Sequence, residues 1–173
     1  MPPAARLSDP VAHPLPPMLT GGPTAITVII GGLPAWRGVG AAVAASMKSA
    51  KAASDAGIKT AEAATAAAAG TPGAPAAKAA EEATKAAAAA AMGSAISAAA
   101  GTSDIHACVT LLPIPPHGPG IVITPSKTVI IVNNPAARQG DEILEAVGPP
   151  NKITMGCPTV IIGDYRQQER PIQ

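Results

Sequence analysis

The hydrophobic pattern of this 173-residue chain changes period twice. Three short runs are continuously apolar and β-branched, Thr-Val-Ile-Ile at 27–30, 128–131 and 159–162. Each follows a Gly, Pro or Ser turn. The first two end in a two-residue turn signal, Gly31-Gly32 and Asn133-Asn134, before Pro-Ala-x-Arg. Apolar runs of about four residues joined by such pairs predict β-hairpins. Residues 135–141, PAARQGD, repeat Pro3-Ala4-Ala5-Arg6 with Asp9 at the same distance, so the opening stretch is one copy of an internal repeat.

Between 41 and 100 the period is helical. Lys48, Lys51, Asp55, Lys59 and Glu62 fall three or four apart on one stripe in an alanine background, with favourable pairs Lys51–Asp55 and Asp55–Lys59. Residues 70–75, GTPGAP, break this helix. A second one carries Lys78, Glu81, Glu82 and Lys85, then Met92 and Ile96 four apart. The spacing predicts a helical hairpin with arms of roughly 35–40 Å at 1.5 Å per residue. The repeat stops here: Arg37 runs on into Gly38-Val39-Gly40, and the Gly-to-Asp step resumes only at 101–104, GTSD. Residues 41–100 therefore read as an insertion in a loop, tolerated at little entropic cost. The expected organisation is a β domain split into 1–40 and 101–165, the insertion at 41–100, and a tail at 166–173. The expected fold class is mainly β, short hairpins in pseudo-threefold repeat interrupted by an Ala-rich helical hairpin.

Composition narrows what such a domain can be. There is no Phe, one Trp (Trp36) and one Tyr (Tyr165), against 20 Pro and 17 Gly. A large aromatic-rich core is excluded, which leaves short Val/Ile strands, tight turns and covalent or metallic links as the means of holding a compact part. Twelve basic against eleven acidic residues leave a net charge of +1, which gives no electrostatic case for nucleic acid. Two cysteines, Cys108 and Cys157, make a thin disulfide framework. The proline-rich start lacks the basic and apolar regions of a secretory signal, so export by the general route is not expected. Residues 86–103 are uncharged and just reach spanning length, the competing reading of this stretch. Alanine supplies little hydrophobic drive, and Gly93, Ser94 and Ser97 dilute it, so a soluble hairpin is favoured.

The candidate chemistry is a metal site. The three histidines stand by repeat junctions: His13 four residues after Asp9, His106 two after Asp104, and His117 just before Gly-Pro-Gly. Cys157 takes the corresponding turn before the third Thr-Val-Ile-Ile. Where three hairpins bring these turns to one end, His13, His106, His117 and Cys157 would form a closed, tetrahedral, structural zinc site. Two alternatives stand beside it. The histidines serve as surface loop residues and Cys157 as a small buried one, or Cys108, two residues from His106 in an extended strand, replaces Cys157 as ligand. Asp9, Asp104, Asp141 and Asp164 suit turn hydrogen bonds rather than acid/base pairs. No hydrolase, phosphate-loop or dinucleotide motif appears.

The Pro-Ala-Ala-Arg repeats, Thr-Val-Ile-Ile hairpins, Asp-x-His entry, His117-Gly-Pro-Gly and closing Gly156-Cys-Pro-Thr-Val resemble the PAAR-repeat family, which caps the spikes of type VI secretion and related contractile injection machines. The opening Ala4-Ala5-Arg6-Leu7-Ser8-Asp9-Pro10-Val11-Ala12-His13 is similar to that family's pre-PAAR motif, AARxxDxxxH. The resemblance covers roughly 1–40 and 101–165. It implies a small cone of hairpins with zinc near its apex on His13, His106, His117 and Cys157. It also implies a non-enzymatic tip, one copy seated on a trimeric valine-glycine-repeat spike, with possible cargo and transient contact with a target membrane. Such a protein waits in the bacterial cytoplasm and leaves with the spike. Two features depart from the family pattern: Pro34-Ala35-Trp36-Arg37 replaces Pro-Ala-Ala-Arg, and the insertion is extra. In some members this region holds transmembrane helices with dedicated chaperones, which implies the alternative of a membrane-active or chaperone-bound translocation module.

Overall fold

A computed structural model describes residues 1–12, 18–21, 26–108 and 117–164. In chain order its elements are β1 (Pro3–Ala4), β2 (Ile29–Ile30), β3 (Leu33–Pro34), α1 (Ala41–Ala67), α2 (Ala74–Ala100), β4 (Ile105–Cys108), β5 (Gly118–Val122), β6 (Ile130–Ile131), β7 (Asn134–Pro135), β8 (Glu142–Glu145), β9 (Asn151–Lys152) and β10 (Cys157–Ile161).

The three Thr-Val-Ile-Ile copies pair in one register. Ile29 of β2 lies opposite Pro34 of β3, and Ile130 of β6 opposite Pro135 of β7. The third copy is assembled from both ends of the chain, with Ile161 of β10 opposite Pro3 of β1. The segments after each proline then close a ring. Trp36 N–H donates to Ala5 O, Ala5 N–H to Ala137 O, and Ala137 N–H to Trp36 O, each at 2.9 Å. Just past each arginine the cycle repeats: Leu7 to Pro34 O, Gly38 to Pro135 O and Gln139 to Pro3 O. Three backbones this close leave room only for small side chains at the centre. Ala4, Ala35 and Ala136 are fully buried there, surrounded by Ile30, Ile131, Ile162 and Cys157.

Each ring segment ends in an arginine clamped to an aspartate. The backbone N–H of Arg6 donates to Asp9 Oδ2 at 2.7 Å, that of Arg138 to Asp141 Oδ2 at 2.7 Å, and that of Arg37 to Asp104 Oδ2 at 2.8 Å, with the guanidinium on the same carboxylate in every case. Arg37 and Asp104 are 67 residues apart, and their side chains are 1% and 0% exposed. The helical hairpin thus leaves and re-enters the ring across one buried ion pair. The first hairpin turns on Gly31-Gly32, both at positive φ; the second turns on Val132-Asn133 (φ 43° and 64°), one residue earlier than the Asn133-Asn134 pair suggests. A β-branched residue is strained in this region, and Arg37 Nη1 donates to the Val132 carbonyl at 3.2 Å.

The expectation of a mainly β, conical molecule is corrected. Among the described residues, two packed helices of 27 residues each take a larger share than ten strands of two to five residues, and the architecture is mixed α/β with several small antiparallel sheets. The physical reason lies at the root of the hairpin. Strands β4-β5-β8-β9 form a four-stranded sheet, and side chains alternate between its faces. One face, with Ile121 and Leu144, packs under Met47, Met92, Ile96 and Ala100 of the helices; the other, with Val122 and Ile143, packs on Trp36 and Ala5 of the ring. The insertion is therefore half of a core rather than a surface loop, and each buried Ile or Met contributes roughly 1.5–3 kcal/mol. Farther out the helices are held by small residues and by Lys85, which pairs with Glu62 at 2.7 Å and Glu81 at 2.6 Å. Among the described residues no helix is long and apolar enough to cross a membrane.

Candidate metal centre

Strand β4 alternates Ile105, His106, Ala107 and Cys108, so His106 and Cys108 share its buried face, while Ala107 is exposed. Across the sheet His106 lies opposite Gly120, and Gly120 opposite Glu145. A Cβ on Gly120 would stand 3.0 Å from Glu145 Cγ and 2.9 Å from Ile143 Cγ2. The missing side chain lets His106 and Glu145 meet over the middle strand, His106 Nε2 lying 3.7 Å from Glu145 Oε1. Cys108 lies opposite Gly118, the next glycine of the His-Gly-Pro-Gly stretch. Glycines at alternate positions of β5 thus clear the space in which donors from both flanking strands converge.

The group so assembled is Cys108, His117 and Glu145. One ligand atom from each lies within 4.8 Å of the others, with Cys108 and Glu145 buried and His117 part-exposed. His117 Nδ1 and Glu145 Oε2 are 2.9 Å apart. A cleft of about 270 Å³, lined by His117, Glu145, Ala12, Pro149 and Asn151 among others, opens beside the pair. Thiolate, imidazole and carboxylate are a donor set that suits zinc, whose bonds of about 2.0–2.3 Å need only a small contraction of this group.

Of the residues expected from sequence, His117 belongs to this group and His106 borders it. The backbone N–H of Thr20 donates to His106 Nδ1 at 3.2 Å. With Nδ1 accepting, the neutral ring carries its proton on Nε2, the nitrogen that faces Glu145. His106 thus borders the group, its Nε2 facing Glu145 Oε1 at a distance longer than a hydrogen bond. Cys157 stands elsewhere, opposite Ala4 in the β1–β10 pair, its Sγ 3.3 Å from Thr159 Oγ1. The Thr159 hydrogen bond, with Arg6 nearby, draws its thiol below the usual range. In the second copy the same place holds Ser126, whose Oγ accepts from the N–H groups of Thr128 and Val129. Cys157 thus occupies a turn-capping position. His13 lies outside the described residues. No disulfide links Cys108 and Cys157.

Sequence reasoning missed Glu145, although a signal was present. Counting from the aspartate of each Arg–Asp clamp, the fourth residue on is His13 after Asp9, Cys108 after Asp104 and Glu145 after Asp141. The repeat carries a metal-ligating type at one position in all three copies. No protein-family model matches the chain, and no curated protein or solved structure does either.

Proposed function

We propose that this chain is a non-catalytic, zinc-pinned cap that seats one copy on the end of a trimeric valine-glycine-repeat spike in a contractile injection machine of the type VI kind, where it also carries cargo. The resemblance of the repeats supplies the machine, and one observation carries the seating. Ile29, Ile130 and Ile161 hold the same position in the three hairpins, each opposite a proline, and are 55%, 57% and 48% exposed. Exposed large apolar residues are ordinarily scattered. Three at equivalent positions of a closed ring match a partner that offers one contact three times. One chain fills all three places, which gives one cap per trimer.

The ion, in this reading, is Zn²⁺ on Cys108, His117 and Glu145, with His13 as the further donor that the repeat register provides. It supplies a cross-link between strand ends where the chain is too short of large apolar residues to build one, so its binding is folding free energy. The test is light scattering with a trimeric spike protein. One chain per trimer is expected, lost when Ile29, Ile130 and Ile161 are all changed to Glu while thermal unfolding of the free cap is unchanged. Three chains per trimer, or no complex, would overturn the seating. Elemental analysis of chelator-washed protein tests the metal separately: about one zinc per chain is expected, and His13→Ala lowers it.

A further inference from the structure

The two faces of the β4-β5-β8 sheet are gripped by different agents at the same end. On one face, Cys108, His117 and Glu145 come from the last residue of β4, the residue before β5 and the last residue of β8. On the opposite face, helix α2 packs on those same ends at Gly93. A Cβ on Gly93 would lie 3.4 Å from Pro119 Cδ and 4.0 Å from Ala146 Cβ, which are the second residue after His117 and the next residue after Glu145. Behind the ligands, Gly148 packs on His117, a Cβ there lying 3.8 Å from its Cε1 and Nε2. Pro149 next to it faces Lys51 and Asp55 of α1 across a narrow cleft. The relative positions of β4, β5 and β8 that suit the ion are thus the positions on which the hairpin root is packed.

We propose that metal binding and seating of the helical hairpin are coupled, so that an ion at Cys108, His117 and Glu145 holds the hairpin down on the sheet and its loss lets the root lift. This inference rests on the metal reading above. The element with two states is the root, where Met47, Met92 and Ile96 are either buried on Ile121 and Leu144 or released. Coupling of this kind is reciprocal, so a lesion that lifts the helix must weaken the metal by the same factor that metal removal weakens the seating. Farther along the arms, beyond Glu62 and the cleft shared with Pro149, no response is expected.

Gly93→Val tests it in the full chain. The branched side chain overlaps Pro119 and Ala146 without touching a ligand, and Ala90→Val on the exposed side of α2 is the matched control. Zinc affinity, read by competition with a chromophoric chelator, is expected to fall about tenfold in Gly93→Val relative to Ala90→Val. In the wild-type chain, chelation is expected to speed amide exchange in residues 41–50 and 90–100 while leaving 63–80 unchanged. Equal affinity in the two variants overturns the coupling, as does exchange at the root that ignores the metal. Should Gly93→Val fail to fold, the wild-type exchange comparison decides alone. A wild-type chain that takes up no zinc would instead bring down the metal reading itself.

Discussion

The ring and the outer arms of the helical hairpin are stabilised in opposite ways. In the ring and the sheet beside it, close backbones restrict the side chain at particular positions: alanine at Ala4, Ala35 and Ala136, glycine where β5 passes between donors, and arginine with aspartate where a segment ends. In the arms, alanine's helix propensity does most of the holding, and many positions are interchangeable. Specificity resides where the chain is short and irregular, not where it is long and regular. The sharpest way to break this contrast is to remove one ion-pair partner from each region. Asp104→Ala leaves Arg37 buried at the point where the hairpin joins the ring, and a loss of about 3–5 kcal/mol is expected. Lys85→Ala removes pairs to Glu62 and Glu81 on the exposed arms and is expected to cost less than about 1 kcal/mol. Urea unfolding followed by fluorescence of Trp36, which sits in the ring's core, reads the first; a Lys85→Ala loss as large as that of Asp104→Ala would erase the distinction.

The two cysteines carry the comparison into the sheet. Cys108→Ser is expected to release the zinc and the stability that goes with it, about 2.7 kcal/mol where free zinc stands a hundredfold above Kd. Cys157→Ser is expected to stay within about 0.5 kcal/mol and keep its metal, because Ser126 holds the same turn in another copy. Zinc release by Cys157→Ser instead would move the site to the ring centre.

Much of the ring was legible as sequence because its repeat is written in side chains with one structural use. The Pro-Ala-x-Arg segments, the Thr-Val-Ile-Ile runs and the step from Arg to Asp are all visible without coordinates. The helical hairpin was legible too, from its charge stripe and the Gly70-to-Pro75 break. What could not be read was how the two meet. Met47, Met92 and Ile96 look like the sparse apolar residues of a solvated hairpin until Ile121 and Leu144 are seen beneath them, and this shared core makes the molecule mixed α/β. The group seen in the structure differs from the expected ligand set for a related reason. Counting from the turns before each hairpin selected Cys157, whereas counting from the Arg–Asp clamps selects Cys108 and Glu145; only the register across Gly118 and Gly120 decides which count matters. His106 stands at the edge of this group, its Nδ1 engaged by a backbone N–H from Thr20.

Acid separates the two regions by the sign of their response. In the ring, burial pushes Asp141 up to about 6, outweighing the pull of Arg138. Its unfolded value is about 3.9. Between those values the folded chain binds more protons than the unfolded one, so ring stability falls as pH rises through the window and levels off above about 6. The change is about 2 kcal/mol between pH 4 and 6. In the arms, hydrogen bonds from Lys85, Thr65 and Lys78 hold Glu81 at about 2, so its contribution is present above the ordinary carboxylate range and is lost as pH falls toward 2. Metal-free protein should therefore show urea midpoints by Trp36 fluorescence that rise from pH 6 to pH 4, while the helical circular dichroism weakens only below that. Other carboxylates titrate in the same range, so the deciding quantity is a difference. Asp141→Asn should flatten the ring's slope between pH 4 and 6 and leave the arms' acid transition where it was. An unchanged slope would mean that solvent reaches Asp141 in the folded ring, and that the ring, like the arms, keeps its charges wet.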